Sequence, residues 1–273
     1  MKKILFYTLC CFAFISCNTK ERKPQNIIEK NTEVTVENDT IEVPNIFVVK
    51  TRFPSADGLL ISADLYEVNG KKPIVLLCHQ AGFSRGEYKD TAIKLNYLGY
   101  SCLAIDQRSG EIANEISNET AQRAKEKGLP TSYLDARQDI ESAIDYLYDM
   151  NGNQPILLVG SSYSASLVLL IGKENEKVKA VAAFSPGEYL KGIKMSDKLQ
   201  DYKKSVFVTS SKNEIQQIKG LKIGVTKGKL VHFEPLTDGI HGSRALWKST
   251  KGNDKYWEAF EGFLDMFDQK IEE

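Results

Sequence analysis

The sequence predicts an α/β fold in which a mostly parallel, twisted sheet carries helices on both faces. Three observations predict it. Short, continuous apolar runs recur along the chain, as strands buried on both faces require. Segments with helical periodicity separate them, which is the alternation of a parallel sheet. Two strand-like runs joined by a tight turn precede that alternation and add an antiparallel hairpin at one edge.

The elements follow in order. Ile46–Phe53 and Leu59–Tyr66 are the hairpin, joined by Pro54-Ser55-Ala56-Asp57-Gly58. Ile74–Cys78 is the first run apolar enough for a central strand, and His79-Gln80-Ala81-Gly82 follows it. Tyr88–Leu98 has Ala92, Leu95 and Leu98 on one helical face and stops at Gly99. Cys102–Ile105 is the next strand, ending in Asp106-Gln107-Arg108-Ser109-Gly110. Glu111–Thr131 is polar and is the longest stretch between core elements, so it reads as a partial lid or a solvated excursion. Ser132–Met150 repeats Leu134, Ile140, Ala143, Ile144 and Leu147 at helical spacing. Val178–Phe184, Ser205–Thr209 and Leu230–Glu234 are further strands, and Tyr256–Ile271 closes the chain as a helix.

Between them lies Ile156–Leu170, ILLVGSSYSASLVLL. An apolar strand runs without a spacer into an apolar helix. Ser162 sits at the junction, with Gly160 two residues before and Ser164 two residues after. A strand that turns directly into a helix around a Ser flanked by small residues looks like a nucleophile elbow, the alternative being a purely structural turn. The tight turn throws the hydroxyl clear of the sheet, and larger flanking residues would clash. The pattern normally ends in Gly, so Ser164 departs from it.

A Ser hydroxyl is a weak nucleophile at neutral pH and needs a base, most often His. The chain has 3 His residues. His232 lies inside a strand and His79 directly follows one. His241 lies in Asp238-Gly239-Ile240-His241-Gly242, where flanking glycines let a side chain reach inward, so elimination selects His241.

These motifs resemble the α/β-hydrolase superfamily, and within it the dienelactone hydrolase-like branch of small members with little or no cap. The resemblance covers Ile46 to the C-terminus. It rests on the segments Cys78–Gly82, Asp106–Gly110, Gly160–Ser164 and Gly239–Gly242, in this order. It implies a serine hydrolase acting on a carboxylic ester of small to medium size, with amides or peptides as a second class. It also implies the order Ser, acid, His, which puts the acid in Ser210–Glu214. Asn213 stands where the family usually has Asp, and Glu214 is its neighbour. Glu214 is taken as the acid and Asn213 as the alternative; Asp238 lies too close in sequence to His241. An Asn would orient the ring without supplying charge, so a catalytically weak or silent binding protein is the competing reading. The oxyanion donors implied are the backbone N–H of Tyr163 and that of Ala81, or alternatively Gln80. His79 is expected to brace that loop and Arg108 to form a structural ion pair or contact substrate.

Lys and Arg number 36, as do Asp and Glu, and no basic stripe suggests a nucleic-acid partner. The His residues lack metal-ligand spacing and no glycine loop suits a phosphate, so no cofactor is expected. The N-terminus reads separately. Met1-Lys2-Lys3 is basic, and Ile4–Ile15 is apolar but too short to span a bilayer. Phe14-Ile15-Ser16-Cys17 resembles a bacterial lipobox. The expectation is a signal peptide over 1–16, a lipidated Cys17 on a flexible tether over 17–45, and a hydrolase domain over 46–273. The protein would then be exported and anchored to a membrane of the bacterial envelope. Cleavage would leave Cys78 and Cys102 in the domain. Placed near opposite ends of neighbouring parallel strands, they sit roughly 10 Å apart, beyond the about 7 Å a disulfide spans.

Overall fold

The computed structural model describes residues 47–268. The expected signal peptide, lipidated Cys17 and tether lie outside the described residues. The strands are β1 (Phe47–Pro54), β2 (Leu60–Glu67), β3 (Val75–Cys78), β4 (Cys102–Ile105), the short β5 (Ile112–Ala113) and β6 (Ile116–Ser117), β7 (Ile156–Ser161), β8 (Val178–Phe184), β9 (Ser205–Thr209) and β10 (Leu230–Phe233). The helices are α1 (Lys89–Tyr97), α2 (Glu119–Glu126), α3 (Arg137–Met150), α4 (Tyr163–Glu174), α5 (Met195–Lys198), α6 (Ile215–Gly220) and α7 (Asn253–Leu264).

Eight strands form one sheet in the order β1-β2-β4-β3-β7-β8-β9-β10. β1 and β2 are antiparallel and β2 is antiparallel to β4; every later pairing is parallel. The central strands are apolar throughout because alternate side chains enter two different cores. Leu76, Cys78, Leu158 and Ile156 pack with α3 and α4 on one face. Val75, Leu77, Leu157 and Val159 pack with α1 and α7 on the other. β10 is the exception: as the outer strand it is only half covered, and Leu230 is exposed. The pairing sets Val75 beside Cys102 and Cys78 beside Ile105, so the two buried thiols are three positions apart, and both are free.

The chain steps outward from β3 to β4, then crosses back over β3 to reach β7. Loops leaving β3 and β7 therefore diverge at their carboxyl ends, the end at which ligands usually bind in such sheets.

Two expected helices are shorter than their periodicity. The α3 helix begins at Arg137, because Asp135 accepts from the Ser132 N–H (2.8 Å) and hydroxyl (2.6 Å) and closes a turn first. The last helix runs from Asn253 to Leu264 and ends in a 3₁₀ turn, Asp265–Phe267.

The stretch expected as a lid or excursion is a brace. Its hairpin, β5–β6, and α2 are held by Arg85, which pairs with Asp106 (2.6 Å), Asp64 (3.1 Å) and Glu119 (3.0 Å). Arg85 is almost fully buried, so its charge is met by three carboxylates rather than by water. Asn118 caps α2 through the Ala121 N–H (2.7 Å), while its amide donates to Gln107 O (2.9 Å).

Candidate active site

The junction of β7 and α4 has the geometry its sequence demands. Ser162 adopts φ 58°, ψ −121°, a strained conformation for a residue with a Cβ, costing on the order of 1–3 kcal/mol. The Ser162 N–H donates to Phe184 O (2.8 Å), which ties the turn to β8. A Cβ on Gly160 would lie 2.6 Å from Ser164 O and 2.7 Å from Val168 Cγ2, so only Gly fits. Ser164 replaces the usual Gly and uses its hydroxyl. The hydroxyl donates to His79 O (2.6 Å) and accepts from Gln107 Nε2 (2.5 Å), joining the elbow to the loops after β3 and β4.

Beyond β8 from the elbow, in the loops that follow β9 and β10, Glu214 and His241 meet. Glu214 ends a 3₁₀ turn, Lys212–Glu214, and its side chain folds back on the residues before it. Oε2 accepts from the Ser211 N–H (3.1 Å), the Ser211 hydroxyl (2.7 Å) and the Ser185 hydroxyl (2.9 Å). Oε1 is left for His241 Nδ1, 2.5 Å away. Burial favours the neutral acid, but the hydrogen bonds from His241, Ser211 and Ser185 outweigh it and hold the carboxyl at about 2. A charged carboxylate only accepts, so the ring proton sits on Nδ1 and leaves Nε2 as a base. Asn213, one position earlier on the same turn, is exposed.

The His241 loop is clamped to the elbow. The Gly242 N–H donates to Ser185 Oγ and the Ser243 N–H to Ser161 Oγ, each at 2.9 Å. Gly242 has φ 74°, and a Cβ there would lie 2.5 Å from Ser161 Oγ. Ser185 itself has φ 54° and bridges Gly242 to Glu214, so it links both members of the pair. Tyr189, from the same loop, places its ring edge-on to that of His241 with centroids 6.5 Å apart.

The loop after β3 lies on the other side of the elbow, since β3 pairs with β7. The Gln80 N–H donates to Glu87 Oε2 (2.7 Å) and is thereby used. Among the described residues, the Ala81 and Tyr163 N–H groups have no hydrogen-bond partner. Tyr163 opens a twelve-residue helix, where the orphan N–H groups and the dipole favour negative charge.

His79 is fully buried, and burial pulls its pKa down to about 4. The Gln107 N–H donates to Nε2 (3.1 Å), which puts the ring proton on Nδ1, donating to Gln80 O (2.8 Å). His79 therefore braces the loop as a neutral ring. Arg108 is also fully buried; it pairs with Asp139 (2.7 Å) and Asp57 (2.7 Å), as a structural ion pair would. Ser161, Ser185, Ser243, Glu87 and Tyr189 were not legible as site residues. None of them lies in a sequence pattern that marks a role, and only the fold brings these five together.

A family model described as serine aminopeptidase, S33, matches residues 69–216, a span from the turn before β3 to α6. No curated protein matches the chain significantly. Among solved structures, the chain is similar to an esterase from Pyrococcus furiosus, with 17% identity and a TM-score of 0.63 over 87% of this chain and 99% of that one. It is similar to a putative dienelactone hydrolase from Klebsiella pneumoniae, with 17% identity and a TM-score of 0.58 over 82% and 99%. A cold-adapted esterase from an Arctic intertidal metagenomic library gives 17% identity and a TM-score of 0.58 over 88% and 100%. At these identities the likeness is one of fold. The family match spans more than half of the chain, and the chain belongs to the serine aminopeptidase S33 family of α/β hydrolases.

Proposed function

We propose that the protein is a serine hydrolase that cleaves a carboxylic ester of small to medium size through an acyl-enzyme on Ser162. The observation that carries this reading is the His241 Nδ1 to Glu214 Oε1 contact, 2.5 Å long, clamped to a strained elbow. Membership of a hydrolase family and the fold shared with esterases support it.

Ser162 Oγ attacks the ester carbonyl as His241 Nε2 takes its proton. Glu214 holds the ring tautomer and stabilises the imidazolium. The new oxyanion receives the Tyr163 and Ala81 N–H groups; each such donor contributes about 3 kcal/mol in characterised sites. Gln80 is set aside because its N–H already serves Glu87. His241 returns the proton to the departing alkoxide and the acyl group stays on Ser162. Water, deprotonated by the same nitrogen, then releases the acid and restores the serine.

The family description favours peptides as a second substrate class, since an amide passes through the same tetrahedral species. A lipid anchor on Cys17 would hold this activity at a bacterial envelope membrane.

A fluorophosphonate probe tests the reading. Wild type is expected to label and Ser162→Ala not to; an unlabelled wild type overturns the serine hydrolase and leaves a binding protein. Metabolic labelling with a palmitate analogue tests the anchor, and incorporation that survives Cys17→Ala overturns it.

A further inference from the structure

We propose that Glu87 is a positioning residue, a buried carboxylate that holds the oxyanion loop, the elbow and the histidine loop in register. The proposal rests on the serine hydrolase reading above. Glu87 lies on the 3₁₀ turn Arg85–Tyr88 and has no exposed surface. Its Oε2 accepts from the Gln80 N–H (2.7 Å) and its Oε1 from the Ser243 hydroxyl (2.6 Å). The elbow is joined through Ser243, whose N–H donates to Ser161 Oγ (2.9 Å). The backbone of the same residue is fixed too, its carbonyl accepting from Trp247 Nε1 (2.8 Å).

Gln80, Ser243 and the Ser161 that Ser243 holds each lie within two residues of a group assigned to the reaction. Gln80 precedes Ala81, whose N–H faces the oxyanion. Ser161 precedes the nucleophile. Ser243 follows His241 by two. No group of Glu87 needs to touch substrate; the carboxylate sets the distances between groups that do.

The chemistry of the side chain argues against mere filling. Among the described residues Glu87 has no ion-pair partner within contact distance, and burial pushes its pKa up. A buried, unpaired carboxyl is costly, and an apolar residue of similar volume would pack without that cost. What the apolar residue could not do is accept an N–H from the oxyanion loop and an O–H from the histidine loop at once. Oxyanion donors work only when fixed before charge develops, so loosening them affects the transition state more than the bound substrate.

The test compares wild type, Glu87→Gln and Ser243→Ala by ester hydrolysis, with rates expressed per active site titrated by a fluorophosphonate. Glu87→Gln keeps the volume but turns one acceptor into a donor. The expected result is a kcat at least tenfold lower with KM within twofold, and a matching fall in the rate of phosphonate inactivation. Ser243→Ala is expected to lower kcat three- to tenfold. A purely structural role would lower the melting temperature and the titrated fraction while leaving kcat per site unchanged, and that result overturns the proposal. Should Glu87→Gln fail to fold, Ser243→Ala decides, and an unchanged kcat per site there overturns it. An inactive, unlabelled wild type overturns the hydrolase reading and this proposal together; an active wild type with an unchanged Glu87→Gln overturns this one alone.

Discussion

Two histidines stand at the same edge of the sheet and are used in opposite ways. His79 follows β3 and is fully buried, with both ring nitrogens engaged and burial holding it neutral. His241 follows β10, its side chain is 34% exposed, and only Nδ1 is committed, to Glu214. The difference teaches that position at the carboxyl edge makes a histidine available, and that an ionised partner on one nitrogen leaves the other free to accept a proton, as the proposed mechanism requires. A ring with both nitrogens spent on the backbone can only brace.

The largest effects should fall on the His241 side. Ser162→Ala and His241→Ala are each expected to lower kcat by roughly 10³-fold or more, since members of such a unit act together. Glu214→Gln keeps the shape but removes the charge and the tautomer control, and should cost on the order of 10²- to 10⁴-fold in kcat. An unimpaired Glu214→Gln would break the comparison at its centre.

On the His79 side the effects should appear in stability. His79 titrates at about 4 in the fold against about 6.5 unfolded. Its folded pKa is depressed, so the unfolded chain binds the extra proton first. Stability is full above pH 6.5 and falls as pH drops toward 4, by roughly 3 kcal/mol. Thermal melts across that range should show the loss, and His79→Gln should flatten it. A wild type whose melting temperature is level from pH 6.5 to 4 would contradict this. Glu214 has the opposite charge type but the same sign: its depressed carboxylate contributes stability above pH 4.5 that is lost as pH falls toward 2.

Smaller effects sharpen the contrast. Ser164→Gly restores the usual elbow residue yet strips a partner from His79 O and Gln107, and should lower stability by about 1–3 kcal/mol. A denaturant melt in which Ser164→Gly matches wild type would show that the hydroxyl is dispensable. Asn213→Ala should leave kcat within twofold, since its side chain faces solvent; a large loss would return the acid's role to that position.

Much of the architecture could be read directly from the chain. Val75–Cys78, Ile156–Val159 and Val178–Phe184 have no polar residue but one lysine, which only a strand covered on both faces tolerates. Gly160-Ser161-Ser162-Tyr163-Ser164 announced the elbow because the clash at Gly160 is local. The carboxylate that meets His241 was legible only to within two neighbouring residues. Choosing between Asn213 and Glu214 depends on a 3₁₀ turn that aims one side chain at Ser211 and His241 and the other at solvent. The brace at 111–131 was also hidden, because its anchor, Arg85, belongs to a different segment and reads in sequence as a surface charge.

By itself, then, the sequence determined the layers, the elbow and the identity of the nucleophile candidate. These depend on periodicity and on contacts within a few residues. Tertiary structure alone decided which carboxylate meets His241, that His79 is a neutral brace, and that Glu87 is buried between Gln80 and Ser243. Those outcomes are set by which distant donors share one buried volume, and no local pattern records that.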